Sequence, residues 1–148
     1  MLILRPLYPW SGGKQRLVKD IAQHVPKTYN QYIEPFLGAG SLYFYLKPKR
    51  AILSDIQQEI IDTFQAVIEY PQELKDLLVH YDVRKTKEQF SQFAKMRPST
   101  LSLPMRALRF LFLIRLAHGS VWRYNKEGEF NSPFSPTFAQ ERNIASSQ

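Results

Sequence analysis

The feature that most constrains the fold is a strand-like run that ends in a glycine turn. Residues 31–36 (Gln-Tyr-Ile-Glu-Pro-Phe) are rich in aromatic and β-branched side chains, which indicates a strand. Gly38 and Gly40 break that run, and residues 41–46 then predict a helix that stops before Pro48. Glycines at such a junction let the backbone turn sharply and let a ligand approach closely, while the helix N-terminus favours negative charge.

A second strand and two further helices are predicted around that turn. Residues 51–54 (Ala-Ile-Leu-Ser) indicate a short strand that ends at Asp55. Apolar side chains recur at helical spacing within residues 14–25, before the first strand, and within residues 56–68, after the second. The front of the chain therefore alternates helix, strand, helix, strand, helix. This order predicts right-handed crossovers and a parallel sheet, that is, an α/β fold.

The pattern changes after Pro71, where we place a boundary. Helical patterns return between residues 74 and 118, and the last and longest of them begins at Pro104. Residues 121–134 then predict a hairpin with Lys-Glu-Gly at its turn. The sequence thus predicts three regions, namely residues 1–70, residues 71–134 and a loose polar tail over residues 135–148.

The composition narrows the possible functions. The formal net charge is +7 and the isoelectric point is near 9.7, which favours a polyanionic partner, although the same charge would also serve solubility alone. The chain has no cysteine and its three histidines lie far apart, so no metal site is predicted. Its longest apolar stretch, residues 108–116, contains two arginines and is shorter than the ~20 residues that span a bilayer. We therefore expect a cytoplasmic protein.

Three features of the front half converge on one ligand site. The glycine turn at Gly38 is the first. Asp55 follows it by 17 residues, at the end of the next strand, where a carboxylate is placed to accept hydrogen bonds from ribose hydroxyls. Residues 10–14 (Trp-Ser-Gly-Gly-Lys) put an aromatic face, two glycines and a cation ahead of a helix. Together the three features predict an adenosine-containing cofactor.

Each of these features also has a purely structural interpretation. The glycine turn can be a turn and nothing more. Asp55 can be the N-cap of the helix that begins at Ile56, and Trp10 can be a core residue beside a solvated Lys14. The order of all three within one strand–helix–strand unit favours the cofactor over these alternatives.

The three pieces in this order resemble the Dam-like DNA adenine-N6 methyltransferases. Residues 10–14 match that family's Trp-x-Gly-Gly-Lys, residues 34–40 match its Glu-Pro-Phe-x-Gly-x-Gly, and Asp55 matches its strand-ending aspartate. Residues 106–116 are similar to the helix that precedes the family's DNA-reading hairpin, and much of residues 123–134 is similar to that hairpin. The resemblance therefore covers most of the chain.

The resemblance implies a fold, a cofactor and a partner. The fold is the N-terminal part of a Rossmann-like S-adenosylmethionine-dependent methyltransferase sheet, followed by a helical DNA-recognition segment with a hairpin, and the partner is double-stranded DNA. The residues that it places at S-adenosylmethionine are Trp10, Gly12, Gly13, Lys14, Glu34, Pro35, Phe36, Gly38, Gly40, Ser41, Asp55 and Ile56. The residues that it places at DNA are Arg123, Tyr124, Asn125 and Asn131. Within the first set, it puts Asp55 at the ribose, Phe36 and Ile56 beside the adenine, and Trp10, Lys14 and the 34–40 loop around the methionine part.

The sequence also departs from the family. Residues 118–121 read His-Gly-Ser-Val where the family usually has Asn-Gly before an apolar residue, and residues 135–137 read Ser-Pro-Thr in place of Gly-Arg-Tyr. The family's catalytic Asp-Pro-Pro-Tyr motif, which lies downstream of the DNA-reading segment, does not occur. Residues 131–134 (Asn-Ser-Pro-Phe) resemble a version of it, but they follow the hairpin and not a buried strand. We therefore assign no catalytic residue and expect the front half of an enzyme, as a truncated chain.

Three functions remain open on the sequence. The first is a part of a site-specific DNA adenine-N6 methyltransferase, and the second is a non-catalytic cofactor- or DNA-binding remnant of one. The third is a small basic nucleic-acid-binding module whose glycine turn is structural. Because two strands leave exposed sheet edges, we also expect self-association or modest stability.

Overall fold

The computed structural model describes residues 6–82 and 85–137 of the chain. Two strands, β1 (Tyr32–Glu34) and β2 (Ala51–Leu53), pair side by side in parallel, and α2 (Ser41–Leu46) connects them. The predicted α/β fold and parallel sheet are therefore confirmed for this two-stranded unit.

Both strands are shorter than the sequence predicts. β1 ends at Glu34 because the Ser54 carbonyl accepts from the Leu37 amide, where a continued ladder would use the Phe36 amide. The two segments nevertheless stay together beyond the strands. The Ser54 amide donates to the Glu34 carbonyl at 3.0 Å, and the Leu37 amide donates to the Ser54 carbonyl at 3.0 Å. This pairing carries both segments up to the glycine turn.

In the described part of the chain, five other α-helices accompany α2. They are α1 (Val18–Gln23), α3 (Gln58–Glu69), α4 (Pro71–Asp82), α5 (Lys87–Lys95) and α6 (Leu103–Leu116). α1 begins later than predicted because turns occupy the preceding residues, where Leu17 donates to the Lys14 carbonyl at 2.8 Å. Pro71 is the first residue of α4, a position where the missing amide hydrogen costs nothing. None of the helices described here is both long and apolar enough to cross a membrane.

α6 forms the centre of the molecule. α3, α4 and α5 all pack against it, and nearly all of its side chains are buried. Its two buried arginines donate to main-chain carbonyls, Arg109 to Phe93 at 2.9 Å and Arg115 to Leu7 at 2.6 Å. Because α3 precedes Pro71 and α6 follows it, one hydrophobic core joins both parts of the chain. The division of roles between residues 1–70 and 71–134 stays a prediction.

Residues 121–134 fold back on themselves without regular strands, and we call them the 121–134 loop. Tyr124 and Phe130 form an isolated antiparallel bridge near the turn. The ladder does not lengthen, because Pro133 has no amide hydrogen. A hairpin of two regular strands is therefore not confirmed. The predicted loose tail falls mainly on residues 138–148, which lie outside the described residues.

Candidate functional site

The glycine turn adopts a backbone that requires glycine. Gly38 and Gly40 have φ angles of +50° and +67°, in the left-handed region that residues with a Cβ avoid. A Cβ atom on Gly38 would lie 3.1 Å from Cδ1 of Trp10, a tighter approach than most side chains make. A Cβ atom on Gly40 would instead lie 3.3 Å from the rings of Phe44 and Phe64. Gly38 thus leaves room for the Trp10 ring, and Gly40 packs the turn against the core.

Asp55 fastens the glycine turn to the start of α3. One carboxylate oxygen accepts a hydrogen bond from the Gly38 amide at 2.8 Å, and the other accepts one from the Gln57 amide at 3.0 Å. The N-cap of α3 is Gln57, so Asp55 lies ahead of the cap. A carboxylate has about four lone pairs, so each oxygen can accept one more hydrogen bond from a ligand. Asp55 therefore has both a structural role and free accepting capacity.

Residues 10–14 make a tight turn opposite the glycine turn. The Gly13 amide donates to the Trp10 carbonyl at 2.9 Å, and Gly12 has a φ angle of +74°. The Lys14 ammonium donates to the Gly12 carbonyl at 2.8 Å and remains exposed. A Cβ atom on Gly12 would meet nothing within 4 Å, so the turn is open to solvent at this point.

Tyr8 joins these two turns, and sequence reasoning missed it. Its hydroxyl donates to the Gly38 carbonyl at 2.7 Å, and its ring meets the Trp10 ring edge-on at a centroid distance of 6.1 Å. Burial, and next the negative charge of Asp55, raise the pKa of Tyr8 far above its ordinary value. Tyr8 therefore stays a neutral donor. Nothing in the sequence pattern singles it out, because it precedes the recognisable motif.

A cavity of about 340 Å³ lies between the two turns, at the carboxyl ends of both strands. This volume falls in the range typical of small-molecule sites. The predicted cofactor residues that line it are Trp10, Gly12, Gly13, Lys14, Glu34, Phe36, Gly38, Ser41 and Asp55. Pro35, Gly40 and Ile56 do not line it. In the residues that the structure describes, no three His, Cys, Asp or Glu side chains are grouped to hold a metal ion.

Glu34 brings a partly desolvated carboxylate to the cavity. It ends β1, and the Tyr32 hydroxyl donates to one of its oxygens at 2.8 Å. Burial raises the pKa of Glu34 above its usual range, and hydrogen bonds from Tyr32 and from the Tyr43 backbone oppose that rise. Burying a carboxylate costs free energy that a bound cation can offset. Glu34 is therefore suited to meet a positively charged part of a ligand.

Two large apolar side chains at the edge of the cavity are exposed to solvent. Phe36 is 87% exposed and Ile56 is 99% exposed, although each lies shortly after the end of a strand. Apolar side chains this exposed gain free energy when a flat apolar group covers them. Their location at the edge of the sheet leaves them available to a ligand that extends beyond the cavity.

Three of the four predicted DNA residues brace the 121–134 loop. The Arg123 guanidinium donates to the Asn131 side-chain oxygen at 2.9 Å and to its main-chain oxygen at 3.1 Å. The Asn125 side-chain oxygen accepts from the Glu129 amide at 2.8 Å. Arg123 and Asn131 are both exposed and together form a polar surface on the loop.

Tyr124, the fourth, points toward α3. Its hydroxyl donates to the Glu59 carboxylate and accepts from the Gln57 side-chain amide at 3.0 Å. Burial, and next the hydrogen bond to Glu59, raise the pKa of Tyr124 to about 12. The structure thus places this hydroxyl at the start of α3, bonded to Gln57 and Glu59 and not to the Arg123 and Asn131 pair.

A wider cleft of about 1150 Å³ opens between α5 and the 121–134 loop. Lys87, Lys95 and Arg97 lie along one side, while two carboxylates of the loop, Glu127 and Glu129, lie along the other. The charge pattern was not predicted, because the basic residues and the loop are distant in sequence. The basic side offers contacts to an anionic polymer.

The departures from the family pattern fall at identifiable places in the fold. Gly119 and Ser120 have φ angles of +64° and +51°, so the backbone keeps the left-handed conformation that glycine and asparagine favour. Residues 131–134 lie in the 121–134 loop, where the Ser132 hydroxyl donates to the Val121 carbonyl at 2.6 Å. Residues 131–134 do not line the cavity between the two turns. A catalytic role for residues 131–134 is therefore not favoured.

Comparison with known proteins identifies the lineage. The family model for D12 class N6 adenine-specific DNA methyltransferases matches residues 10–146. The type II methyltransferase M1.LlaDCHI of Lactococcus lactis subsp. cremoris is 31% identical over 135 residues, which cover 88% of this chain and 48% of the relative. The DNA adenine methylase of Escherichia coli (strain K12) is 36% identical over 134 residues, covering 88% of this chain and 47% of the relative. The chain thus spans about half the length of these relatives.

Proposed function

The chain belongs to the D12 class N6 adenine-specific DNA methyltransferases, and we propose that it supplies the cofactor-binding and DNA-recognition part of such an enzyme. The observation that carries the proposal is the bond from Gly38 to Asp55, which joins both strand ends around one cavity. A Rossmann-like sheet binds nucleotide cofactors at this edge. The partners that we propose are S-adenosylmethionine and double-stranded DNA, and the location is the cytoplasm.

The residues at the cavity fit the chemistry of S-adenosylmethionine. Asp55 is suited to the ribose hydroxyls, because its oxygens retain accepting capacity. Glu34 is suited to the ammonium group and Lys14 to the carboxylate of the methionine part. The exposed side chains of Phe36 and Ile56 are suited to the two faces of the adenine. When bound, the cofactor supplies a methyl group on a sulfonium, and the chain's own residues hold it in place.

The 121–134 loop and the basic side of the cleft support the DNA assignment. Arg123 is exposed and is held by Asn131 in a fixed orientation, which lowers the entropy cost of a contact. Lysines and arginines along the cleft add attraction for phosphates that does not depend on sequence. The sequence contains no Asp-Pro-Pro-Tyr motif, so the roles proposed for these residues are in binding and not in catalysis.

Substituting Arg123 tests the DNA assignment. We expect Arg123→Ala to weaken binding to duplex DNA about tenfold and to lower the slope of log affinity against log salt concentration by about one. Fluorescence anisotropy at several salt concentrations measures both quantities. Lys75→Ala removes the same charge from an exposed position of α4 and serves as the control. It should change the affinity less than twofold, because salt screens a charge that does not contact DNA. Equal effects of the two variants would argue against a specific role for Arg123.

We also propose that the chain self-associates through its small sheet. Both strands lie at an edge, and the directly paired Ile33 and Ile52 are 59% and 50% exposed. Such a face and edge favour pairing with another chain.

Charging this sheet face should reduce self-association. We expect sedimentation velocity to show concentration-dependent oligomers for the unmodified chain and mainly monomers for Ile52→Lys, because a lysine at a sheet surface disfavours pairing. Ile68→Lys changes an apolar side chain that is 77% exposed on α3 and serves as the control. A strictly monomeric unmodified chain, or an equal response to both substitutions, would rule out this interface.

A further inference from the structure

Three polar side chains connect the start of α3 to the 121–134 loop. Glu59 is only 8% exposed, and both of its carboxylate oxygens are occupied. The Tyr124 hydroxyl donates to one oxygen, and the Gln57 side-chain amide donates to the other. The Gln57 amide also donates to the Tyr124 hydroxyl at 3.0 Å, which closes the triangle. We call Gln57, Glu59 and Tyr124 the polar triad.

A buried cation lies beside the polar triad. Arg109 is 2% exposed, and its guanidinium lies 5.8 Å from the centroid of the Trp122 ring. Burial lowers the pKa of Arg109, and the negative charge of Glu59 opposes that change. A buried carboxylate and a buried guanidinium are each costly without the other. The opposite charges of Glu59 and Arg109 therefore partly offset the cost of burying both groups.

The polar triad is continuous with the cofactor cavity. Gln57, whose side chain belongs to the triad, donates its main-chain amide to Asp55 at 3.0 Å. The other oxygen of Asp55 accepts from the Gly38 amide at 2.8 Å. A path of hydrogen bonds thus runs from the glycine turn through Asp55 and Gln57 to Tyr124. Arg123, the DNA-contact candidate, is the residue next to Tyr124 in the loop.

We propose that Gln57, Glu59 and Tyr124 are positioning residues that couple occupancy of the cofactor cavity to the orientation of the 121–134 loop. This inference rests on the proposed function, since it needs both ligands. A ligand bound to Asp55 fixes the segment that carries Gln57, and Gln57 in turn fixes Tyr124 and the adjoining Arg123. In this arrangement Tyr124 acts by holding the loop through its hydroxyl.

The coupling is reciprocal, which makes it measurable. If the cofactor favours the loop arrangement that binds DNA, DNA must raise the affinity for the cofactor by the same factor. A triad that only packs the loop against α3 would change stability when altered, but it would leave this factor untouched. The ratio of the two cofactor affinities therefore separates positioning from simple packing.

The experiment measures the Kd for S-adenosylmethionine with and without saturating random-sequence duplex DNA. For the unmodified chain we expect DNA to tighten cofactor binding about 5- to 20-fold, a common size for coupling between sites. Tyr124→Phe removes only the hydroxyl and should reduce the factor to about one, while each ligand alone binds within about threefold of the unmodified chain. Tyr70→Phe, at a position 43% exposed against 39% for Tyr124, should keep the full factor.

A second variant, Gln57→Leu, tests the same coupling in case Tyr124→Phe does not fold. Gln57→Leu keeps the main-chain amide that bonds to Asp55 and removes the side-chain donor, so it should lose the coupling to the same extent. The double variant should lose no more than either single variant. A full coupling factor in Tyr124→Phe, or no coupling in an unmodified chain that binds both ligands, overturns this inference alone. An unmodified, folded chain that binds neither ligand overturns the proposed function and this inference together.

Discussion

Replacing Asp55 with alanine is expected to weaken S-adenosylmethionine binding by at least about 100-fold. The substitution removes the acceptor proposed for the ribose and also leaves the Gly38 and Gln57 amides without their partner. Both amides are only partly buried, so each unpaired donor should cost the lower part of the ~1–3 kcal/mol of a fully buried one, and about 1.4 kcal/mol corresponds to a tenfold change in affinity. The loss therefore combines a missing contact with a displaced glycine turn.

Isothermal titration calorimetry on variants that retain their circular dichroism spectrum measures this effect. Asp55→Asn keeps one oxygen acceptor, so its affinity for the cofactor should lie between those of the unmodified chain and Asp55→Ala. Asp20→Ala, an exposed carboxylate in the first turn of α1, is the matched control and should bind the cofactor as the unmodified chain does. Unchanged binding by Asp55→Ala would mean that the cavity is not a ribose site.

Replacing Phe110 with alanine is expected to cost about 3–5 kcal/mol of the free energy of unfolding. The ring is fully buried in α6 and lies between the aromatic rings that support both sites. Its centroid is 4.8 Å from that of Tyr8, 6.1 Å from that of Trp10 and 4.8 Å from that of Trp122. The cavity left by the substitution would loosen the Trp10 turn and the start of the 121–134 loop together.

A second phenylalanine of α6 separates stability from function. Phe112 is equally buried, but its ring stacks on Phe93 at a centroid distance of 4.6 Å, away from the cofactor turns. Urea denaturation should show similar losses for Phe110→Ala and Phe112→Ala. Calorimetry below the transition should show weakened cofactor binding for Phe110→Ala only. Equal binding by the two variants would show that Phe110 supports the core and not the site.

The cofactor site is predictable from the sequence where backbone geometry demands a residue type. Gly38 must be glycine because of its positive φ angle and the nearby Trp10 ring, and Asp55 lies just after β2 at the same sheet edge. Tyr8 is not predictable in this way, because a buried tyrosine that donates to a carbonyl looks like any other aromatic residue. The sequence identifies groups fixed by local geometry and misses those fixed by packing.

The rest of the fold shows the same difference between features set by local geometry and features set by packing. Helical spacing predicts α6, yet it cannot show that Arg109 and Arg115 are buried with main-chain carbonyls as their partners. Pro71, where the sequence pattern changes, is the first residue of α4, and this position is a local preference of proline. Interactions across long sequence separations decide the partners of both arginines, and periodicity contains no record of them.

The contact of Tyr124 with α3 is a third long-range feature. The resemblance placed Tyr124 with Arg123 at DNA, whereas its hydroxyl is bonded to Glu59, 65 residues earlier. Arg123 bonds within the loop while Tyr124 bonds to α3, so adjacent residues of one motif need not share a partner. The assignment of Arg123 to DNA and that of Tyr124 to loop positioning are therefore separate proposals with separate tests.

The central claim is that the cavity between the Trp10 and Gly38 turns binds S-adenosylmethionine, and calorimetric titration of the folded, unmodified chain tests it most directly. The same chain should be titrated with ATP, which has the adenosine but lacks the methionine part that Glu34 and Lys14 are proposed to hold. We predict saturable binding of one S-adenosylmethionine per chain and no measurable heat of binding with ATP. No binding of S-adenosylmethionine by a chain with a folded circular dichroism spectrum, or equal binding of ATP, would contradict the claim.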